Sequence, residues 1–99
     1  MEKTISSGER LVQNSGNVFR QEEDGAFPFD SETGNLKYLN AMGVNVYELC
    51  DGVRTAGDIA EIVVAHYPDT AKEQIESDIT AFLESLVEMT FLIRGTPHG

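Results

Sequence analysis

The chain has 99 residues, which is enough for one domain and too few for two. Its 17 acidic residues against 7 basic ones give a formal net charge of −10, which argues against a surface that binds nucleic acid. The apolar runs are far shorter than the roughly 20 residues that span a bilayer, so we expect a cytoplasmic protein that does not contact membranes. The single cysteine, Cys50, is expected to be a small buried side chain.

Residues 1–17 are mostly polar and contain several turn-forming types, which predicts a flexible N-terminal arm. The adjacent apolar residues Leu11 and Val12 are the part of this arm most able to contact a core. At the other end, residues 94–99 are predicted to form a disordered tail, because glycine, threonine and proline follow the last apolar residues.

A β-hairpin is predicted just after the arm. Two extended runs, residues 18–23 and 26–30, surround Asp24 and Gly25, a dipeptide that favours a two-residue type I′ turn. Pro28 lies in the second run and has no N–H group. Its nitrogen is therefore expected to face no partner strand, or to lie beside a bulge.

A third strand is predicted over residues 35–39, after a turn at residues 31–34. In a meander of three consecutive strands, the third strand keeps a free backbone edge unless another element covers it, and free edges recruit other strands. Three acidic side chains at residues 22–24 discourage pairing at the end of the first strand. The third strand is therefore the more receptive edge.

Two helices follow this meander. Asn40 is the expected N-cap of the first helix, and Gly52 is expected to end it in a left-handed conformation. Thr55 and Asp58 have the spacing of a capping box at the start of the second helix, which Pro68 should end.

The third helix is the longest predicted element. Thr70 and Glu73 repeat the capping signal, and an apolar stripe at helical spacing follows: Ile75, Ile79, Phe82, Leu83 and Leu86. A short extended piece, residues 91–93, should pack on the core. The sequence predicts an α+β fold of the winged helix-turn-helix-like type, with a three-stranded antiparallel β-meander followed by three α-helices.

No catalytic or metal-binding motif is recognisable. The two histidines, His66 and His98, have no metal-ligand spacing, and the acidic clusters resemble no calcium loop. A DNA-reading role for the third helix is disfavoured, because five acidic side chains accompany Lys72 there. We therefore expect no enzymatic activity, no cofactor, no metal and no nucleic-acid partner.

Several segments resemble the PqqD-like family, named for pyrroloquinoline quinone synthesis protein D. The resemblance covers about residues 18–92, and the matching positions are Leu39, Asn40, residues 46–52, Arg54, Thr55, Ile59, Ala60, Tyr67, Pro68, Asp78, Phe82, Leu83 and Leu86. Tyr47 stands where the family often has tryptophan, and Thr90 stands where it often has glycine.

The resemblance implies that residues 18–93 form a RiPP recognition element, a domain that serves ribosomally made and post-translationally modified peptides. Such a domain is an adaptor. It binds the leader segment of a precursor peptide and presents the precursor to a modifying enzyme, commonly a radical SAM protein. The peptide adds as a strand to the edge of the third strand and lies against the third helix, which agrees with the free edge inferred from the turns.

Two rows of residues are expected to form the groove for this peptide. The strand side is Asn35, Leu36, Lys37, Tyr38 and Leu39. The helix side is a stripe of mostly small residues beside the apolar face, with Phe82 at the floor: Ala71, Gln74, Asp78, Ala81 and Ser85. We expect Asp78 to offer acceptors to the peptide. The alternative is an interaction or regulatory winged-helix domain that binds a folded protein and no leader peptide.

Overall fold

The computed structural model describes residues 5–14 and 16–95, and this part of the chain contains two three-stranded antiparallel sheets and three helices. The strands are β1 (Arg10–Gln13), β2 (Asn17–Glu22), β3 (Gly25–Asp30), β4 (Leu39–Asn40), β5 (Asp51–Thr55) and β6 (Leu92–Gly95). The helices are α1 (Ala41–Leu49), α2 (Ala56–His66) and α3 (Lys72–Glu88). The predicted α+β class, with an antiparallel meander β2-β3-β4 and three helices, is confirmed.

The second sheet, in the order β5-β1-β6, was not predicted. Its central strand β1 lies in the segment assigned to a flexible arm, and Leu11 of this strand is fully buried. Arg94 donates two hydrogen bonds to the Glu9 carboxylate, at 2.7 and 2.8 Å, and fixes β6 beside β1. The assignments of arm and tail are therefore corrected for residues 10–13 and 94–95. The arm prediction also fails at Ile5, which is buried, and at Asn17, which begins β2. Residues 1–4, 15 and 96–99 of the predicted arm and tail lie outside the described residues.

The turn between β2 and β3 differs from the predicted type. Glu22 pairs with Gly25, so the loop consists of Glu23 and Asp24. Neither loop residue has a positive φ, and therefore the predicted type I′ turn at Asp24 and Gly25 is wrong. Gly25 is required for another reason: a Cβ atom there would lie 2.2 Å from the carbonyl oxygen of Leu39 in β4.

The first two helices begin where the sequence predicts. Asn40 caps α1, and its side-chain oxygen accepts the backbone N–H of Gly43 at 2.8 Å. Thr55 and Asp58 form the predicted capping box of α2, with both reciprocal bonds at 3.1 Å. The start of α1 is thereby fixed directly after the last strand of the meander.

Two helix boundaries differ from the prediction. α1 ends at Leu49, and Gly52 adopts its left-handed conformation, φ +83°, within β5. Thr70 donates its backbone N–H to the Tyr67 carbonyl at 3.1 Å, which keeps Thr70 in the preceding turn. Ala71 is therefore the N-cap of α3, without a side-chain hydrogen bond, and the predicted Thr70 capping box is wrong.

The core lies between the helices and the inner faces of both sheets. α3 presents Ile75, Ile79, Leu83 and Leu86 to it, whereas Phe82 is only half-buried and turns towards residues 35–40. Cys50 is fully buried, and burial raises the pKa of its thiol to about 12. The expectation of a small buried side chain at Cys50 is confirmed.

A buried carboxylate, Asp30, joins the end of β3 to Thr90, two residues beyond the end of α3. Asp30 accepts hydrogen bonds from the Thr90 hydroxyl and from the backbone N–H of Glu32, at 2.5 and 2.9 Å. Thr90 has a φ of +66°, which a threonine rarely adopts. Glycine would suit this backbone better, and the bond to Asp30 offsets part of the cost of threonine.

We expect Asp30→Asn to lower the free energy of unfolding at neutral pH, and the loss to shrink on acidification. Hydrogen bonds hold the pKa of Asp30 below its ordinary value. The bond from the Thr90 hydroxyl has the largest effect, and the bonds from backbone N–H groups follow. A carboxylate with a lowered folded-state pKa stabilises the fold above about pH 4, and this stabilisation fades as pH falls through the folded-state pKa. Urea denaturation of Asp30→Asn and wild type at several pH values measures this difference in the free energy of unfolding. Asp69→Asn, in the exposed turn before α3, is the control; equal losses for both variants would contradict the assignment.

Candidate strand-addition site

Residues 35–40, the second part of the connection between β3 and α1, are named here the edge segment. It follows β3 in one antiparallel register, with Leu36 opposite Phe29 and Leu39 opposite Ala26. Only Leu39–Asn40 form a continuous ladder with β3, and Leu36 makes an isolated bridge. The strand predicted over residues 35–39 is thus formed only in part.

Pro28 explains the interruption. The register places it opposite Lys37, whose backbone N–H donates to the Pro28 carbonyl at 3.3 Å. Pro28 has no N–H to return to Lys37, so the ladder is weak at this point. The Pro28 nitrogen faces Lys37, where the edge segment forms no strand, which agrees with the expectation that it faces no partner strand.

The hydrogen bonds on either side of Leu36 show which backbone groups face outwards. Asp30 donates to the Asn35 carbonyl at 2.9 Å, and Lys37 donates to Pro28, so Leu36 and Phe29 form a non-hydrogen-bonded pair. The N–H and C=O groups of Leu36 then point away from β3, and the same alternation applies to Tyr38. The edge segment presents unpaired strand groups at two alternate residues.

A cleft of about 360 Å³, the strand–helix cleft, lies between the edge segment and α3. Five of the predicted groove residues line it together: Lys37, Tyr38, Leu39, Asp78 and Phe82. Gln74 lies one turn away and donates to the Asp78 carboxylate at 3.0 Å. The cleft therefore has a strand on one side, a helix with one carboxylate on the other, and an aromatic ring between them.

The cleft is closed at the Asn35 end. The Asn35 side chain donates to the Met89 carbonyl at 3.1 Å, which ties the edge segment to the end of α3. Leu36 lies on the opposite face of the sheet, beside Phe29, and is 57% exposed. The space between strand and helix thus opens towards Leu39 and the start of α1.

Three predicted groove residues lie elsewhere. Ala71 is the exposed N-cap of α3, and Ala81 and Ser85 line a separate cleft beside Arg94. The Ser85 hydroxyl donates to the Phe82 carbonyl at 2.7 Å, within its own helix. The stripe chosen from the helical wheel is therefore divided, and only its Asp78 part faces the edge segment.

Sequence reasoning missed the contribution of α1 to this cleft. Asn40, Met42, Gly43 and Val46 line it beside the predicted residues. Glycine within a helix costs about 1 kcal/mol relative to alanine, so Gly43 was a detectable sign of close packing. A Cβ atom at Gly43 would lie 3.3 Å from the ring of Phe82.

The lining of the cleft carries one basic and one acidic side chain, Lys37 and Asp78. Three other acidic residues of α3, Glu73, Glu76 and Glu84, line a separate surface of the helix. α3 carries five acidic residues against one basic residue, Lys72, which approaches Glu76 at 4.0 Å. Within the described residues, no three His, Cys, Asp or Glu side chains are placed to share a metal ion. No helix among these residues is long and apolar enough to cross a membrane. With one charge of each sign in its lining, the cleft does not select a ligand by net charge.

The outer face of the meander carries exposed apolar side chains. Val18, Phe29 and Leu36 form one cross-strand row, and Tyr38 lies beside it, in contact with the ring of Phe27 at 5.2 Å. The row of Val18, Phe29 and Leu36 does not line the strand–helix cleft, whereas Tyr38 borders both surfaces.

Comparisons with known proteins agree with this architecture. The model of the family described as coenzyme PQQ synthesis protein D (PqqD) matches residues 25–92. A solved structure of TbiB1 in complex with the TbiA(beta) leader peptide superimposes with a TM-score of 0.72 at 21% sequence identity. The alignment covers 88% of this chain and 99% of that chain. No curated protein sequence matches the chain.

Proposed function

Since the chain belongs to the PqqD family, we propose that it is a non-catalytic adaptor for a ribosomally made precursor peptide. It captures the leader segment of the precursor by strand addition and presents the precursor to a modifying enzyme. The observation that carries this proposal is the edge segment, where Leu36 and Tyr38 present unpaired backbone groups beside a cleft. Backbone hydrogen bonds provide affinity in such a complex, and side-chain pockets provide selectivity.

The solved complex of TbiB1 with a leader peptide supports the same class of ligand. On this chain, the peptide strand lies along Leu36 to Leu39, with Asp78 and Phe82 as its opposite wall. The Asp78 carboxylate offers hydrogen-bond acceptors to donors of the peptide at that wall. A binding site of this type needs a free edge and a nearby wall, and it needs no reactive group.

The affinity should suit a peptide that is handed on. A leader segment that is disordered when free loses about 2–5 kcal/mol on ordering. Micromolar binding, which corresponds to about −8 kcal/mol, is therefore the expected range. The modifying enzyme is proposed to be a radical SAM protein. Co-purification from the source organism, with and without the precursor peptide, tests this proposal.

The decisive experiment uses an exhaustive set of ligands. A display library tiles the first part of every short open reading frame of the source genome, and bound peptides are then mapped by NMR. Shift changes at residues 35–39 and at Asp78 and Phe82 are the expected result. Failure of every tile to bind, or binding at a remote surface, would refute the adaptor function.

A second candidate is a winged-helix interaction domain that binds a folded protein. The exposed apolar row Val18, Phe29 and Leu36 is the observation that favours it. Replacing Val18 with aspartate separates the two functions, because Val18 lies on the outer face and away from the strand–helix cleft. The adaptor function predicts that Val18→Asp binds the leader peptide as wild type does. A wild-type protein that binds no peptide, together with loss of a folded protein partner in Val18→Asp, would favour the second candidate.

A further inference from the structure

A second cleft lies on the other side of α1, between this helix and α2. Its volume is about 550 Å³, within the usual range of ligand sites. Apolar side chains of both helices line it: Met42, Val46, Leu49, Ile62 and Val63. It is named here the α1–α2 cleft.

The two clefts share a wall. Met42 and Val46 line both of them. These residues are four apart in α1, so their side chains lie on the same face of the helix, one turn from each other. Val46 is buried, whereas Met42 is half-buried, so a ligand that leaves the strand–helix cleft over Met42 enters the α1–α2 cleft.

The chain itself directs a ligand along this path. Asn40 caps α1 and Ala41 is its first residue, so the edge available for strand pairing stops at that point. The strand–helix cleft is closed at its other end by the bond from Asn35 to Met89. A peptide strand that continues past Leu39 has no further strand to pair with, and the next surface it meets is the half-buried side chain of Met42.

The polar groups at the rim indicate what the α1–α2 cleft selects. Arg54 is held by the Asp51 carboxylate at 2.6 Å, and the Nδ1 atom of His66 lies 2.9 Å from the Ile62 carbonyl. These rim groups already have partners within the protein, and the remaining rim carboxylate, Glu48, disfavours an acidic ligand. The cleft therefore favours an apolar side chain.

We propose that the α1–α2 cleft binds a large apolar side chain of the same peptide, in the part that continues past Leu39. The inference rests on the proposed adaptor function. It makes recognition bipartite: backbone pairing along the edge segment, followed by one apolar anchor beyond Met42, in the α1–α2 cleft. Met42 and Val46 set the spacing between the two parts.

The probe is the tightest-binding peptide from the genome-tiling library. It is made long enough for its chain to extend beyond both ends of the edge segment when bound. Methyl-labelled protein reports on Ile79 in the strand–helix cleft and on Ile62 and Val63 in the α1–α2 cleft. Shifts in both clefts are expected. Shifts confined to Ile79 would overturn the anchor and leave the adaptor function intact, whereas a library without binders would overturn both.

Ile62→Glu tests the anchor by affinity. It should weaken binding of the full peptide about tenfold, the effect of losing one apolar contact. A peptide truncated before the anchor should bind Ile62→Glu and wild type equally. Ala65→Glu, which adds the same charge on the exposed side of α2, is the matched control.

The peptide provides a second test that needs no protein variant. Serine is substituted at each apolar residue outside the paired segment, and binding to wild type is measured. At one position, the serine substitution should weaken binding about tenfold and should abolish the Ile62 methyl shift. If no serine substitution changes either quantity, or if Ala65→Glu matches Ile62→Glu, the anchor does not exist.

Discussion

Gly25→Ala is expected to destabilise the fold by about 3 kcal/mol, the upper end of the usual cost of overpacking. The added Cβ atom would lie 2.2 Å from the Leu39 carbonyl oxygen and 2.8 Å from the ring of Tyr38. The backbone oxygen cannot turn aside as a flexible side chain does, so the edge segment has to move away from β3. Urea denaturation measures the loss of stability.

The same displacement should abolish strand addition. Gly25 pairs with Asn40, the residue that caps α1, so moving this pair disturbs both the edge segment and the start of the helix. Gly8→Ala is the matched control, because nothing lies within 4 Å of a Cβ atom there. We expect Gly8→Ala to be neutral. Equal stability of the two variants would show that β3 and the edge segment are less closely packed than described.

The sequence predicts those parts of the fold that depend on neighbouring residues. The caps at Asn40 and Thr55 were predicted because an N-cap and its partner are three residues apart and satisfy each other locally. Strand β1 was not predicted, because its four residues become a strand only by pairing with β5 and β6. The adjacent apolar residues Leu11 and Val12 were the sign of it, within a polar segment.

The candidate site was predicted in outline for a similar reason. The free edge follows from the order of three consecutive strands, which a sequence indicates through its turns. The interruption at Lys37 depends on which side of β3 the Pro28 nitrogen faces, and the register decides that. The division of the α3 stripe, with Asp78 at one cleft and Ala81 at another, depends on how α3 is rotated against the edge segment.

Thr90 shows how a departure from a family pattern acquires a physical meaning. The family often has glycine at this position, and the backbone of Thr90 has the positive φ that favours glycine. The hydroxyl of Thr90 bonds to Asp30, whose backbone N–H also pairs with the Asn35 carbonyl at the closed end of the edge segment. The substitution is therefore coupled to the position of the candidate site.

Leu36→Pro is expected to weaken peptide binding by about tenfold or more with little loss of stability. The N–H of Leu36 points away from β3, so its removal breaks no bond within the protein and removes one donor to an added strand. A lost hydrogen bond costs about 0.5–1.5 kcal/mol, and the proline ring adds a steric barrier on the same edge. Titration of the selected peptide measures the affinity.

Two further variants, at Leu36 and Lys37, separate the loss of the outward N–H group from the loss of a side chain and from the loss of stability. Leu36→Ala keeps the N–H group and should weaken binding less than about threefold, since the exposed side chain is not the main contact. Lys37→Pro removes the bond to the Pro28 carbonyl and should reduce stability instead, because the Lys37 N–H faces inwards. Tyr38→Pro is less informative, since the Tyr38 ring also contacts Phe27 and its hydroxyl bonds to Asp24. If folded Leu36→Pro binds the peptide as wild type does, the peptide does not add to this edge.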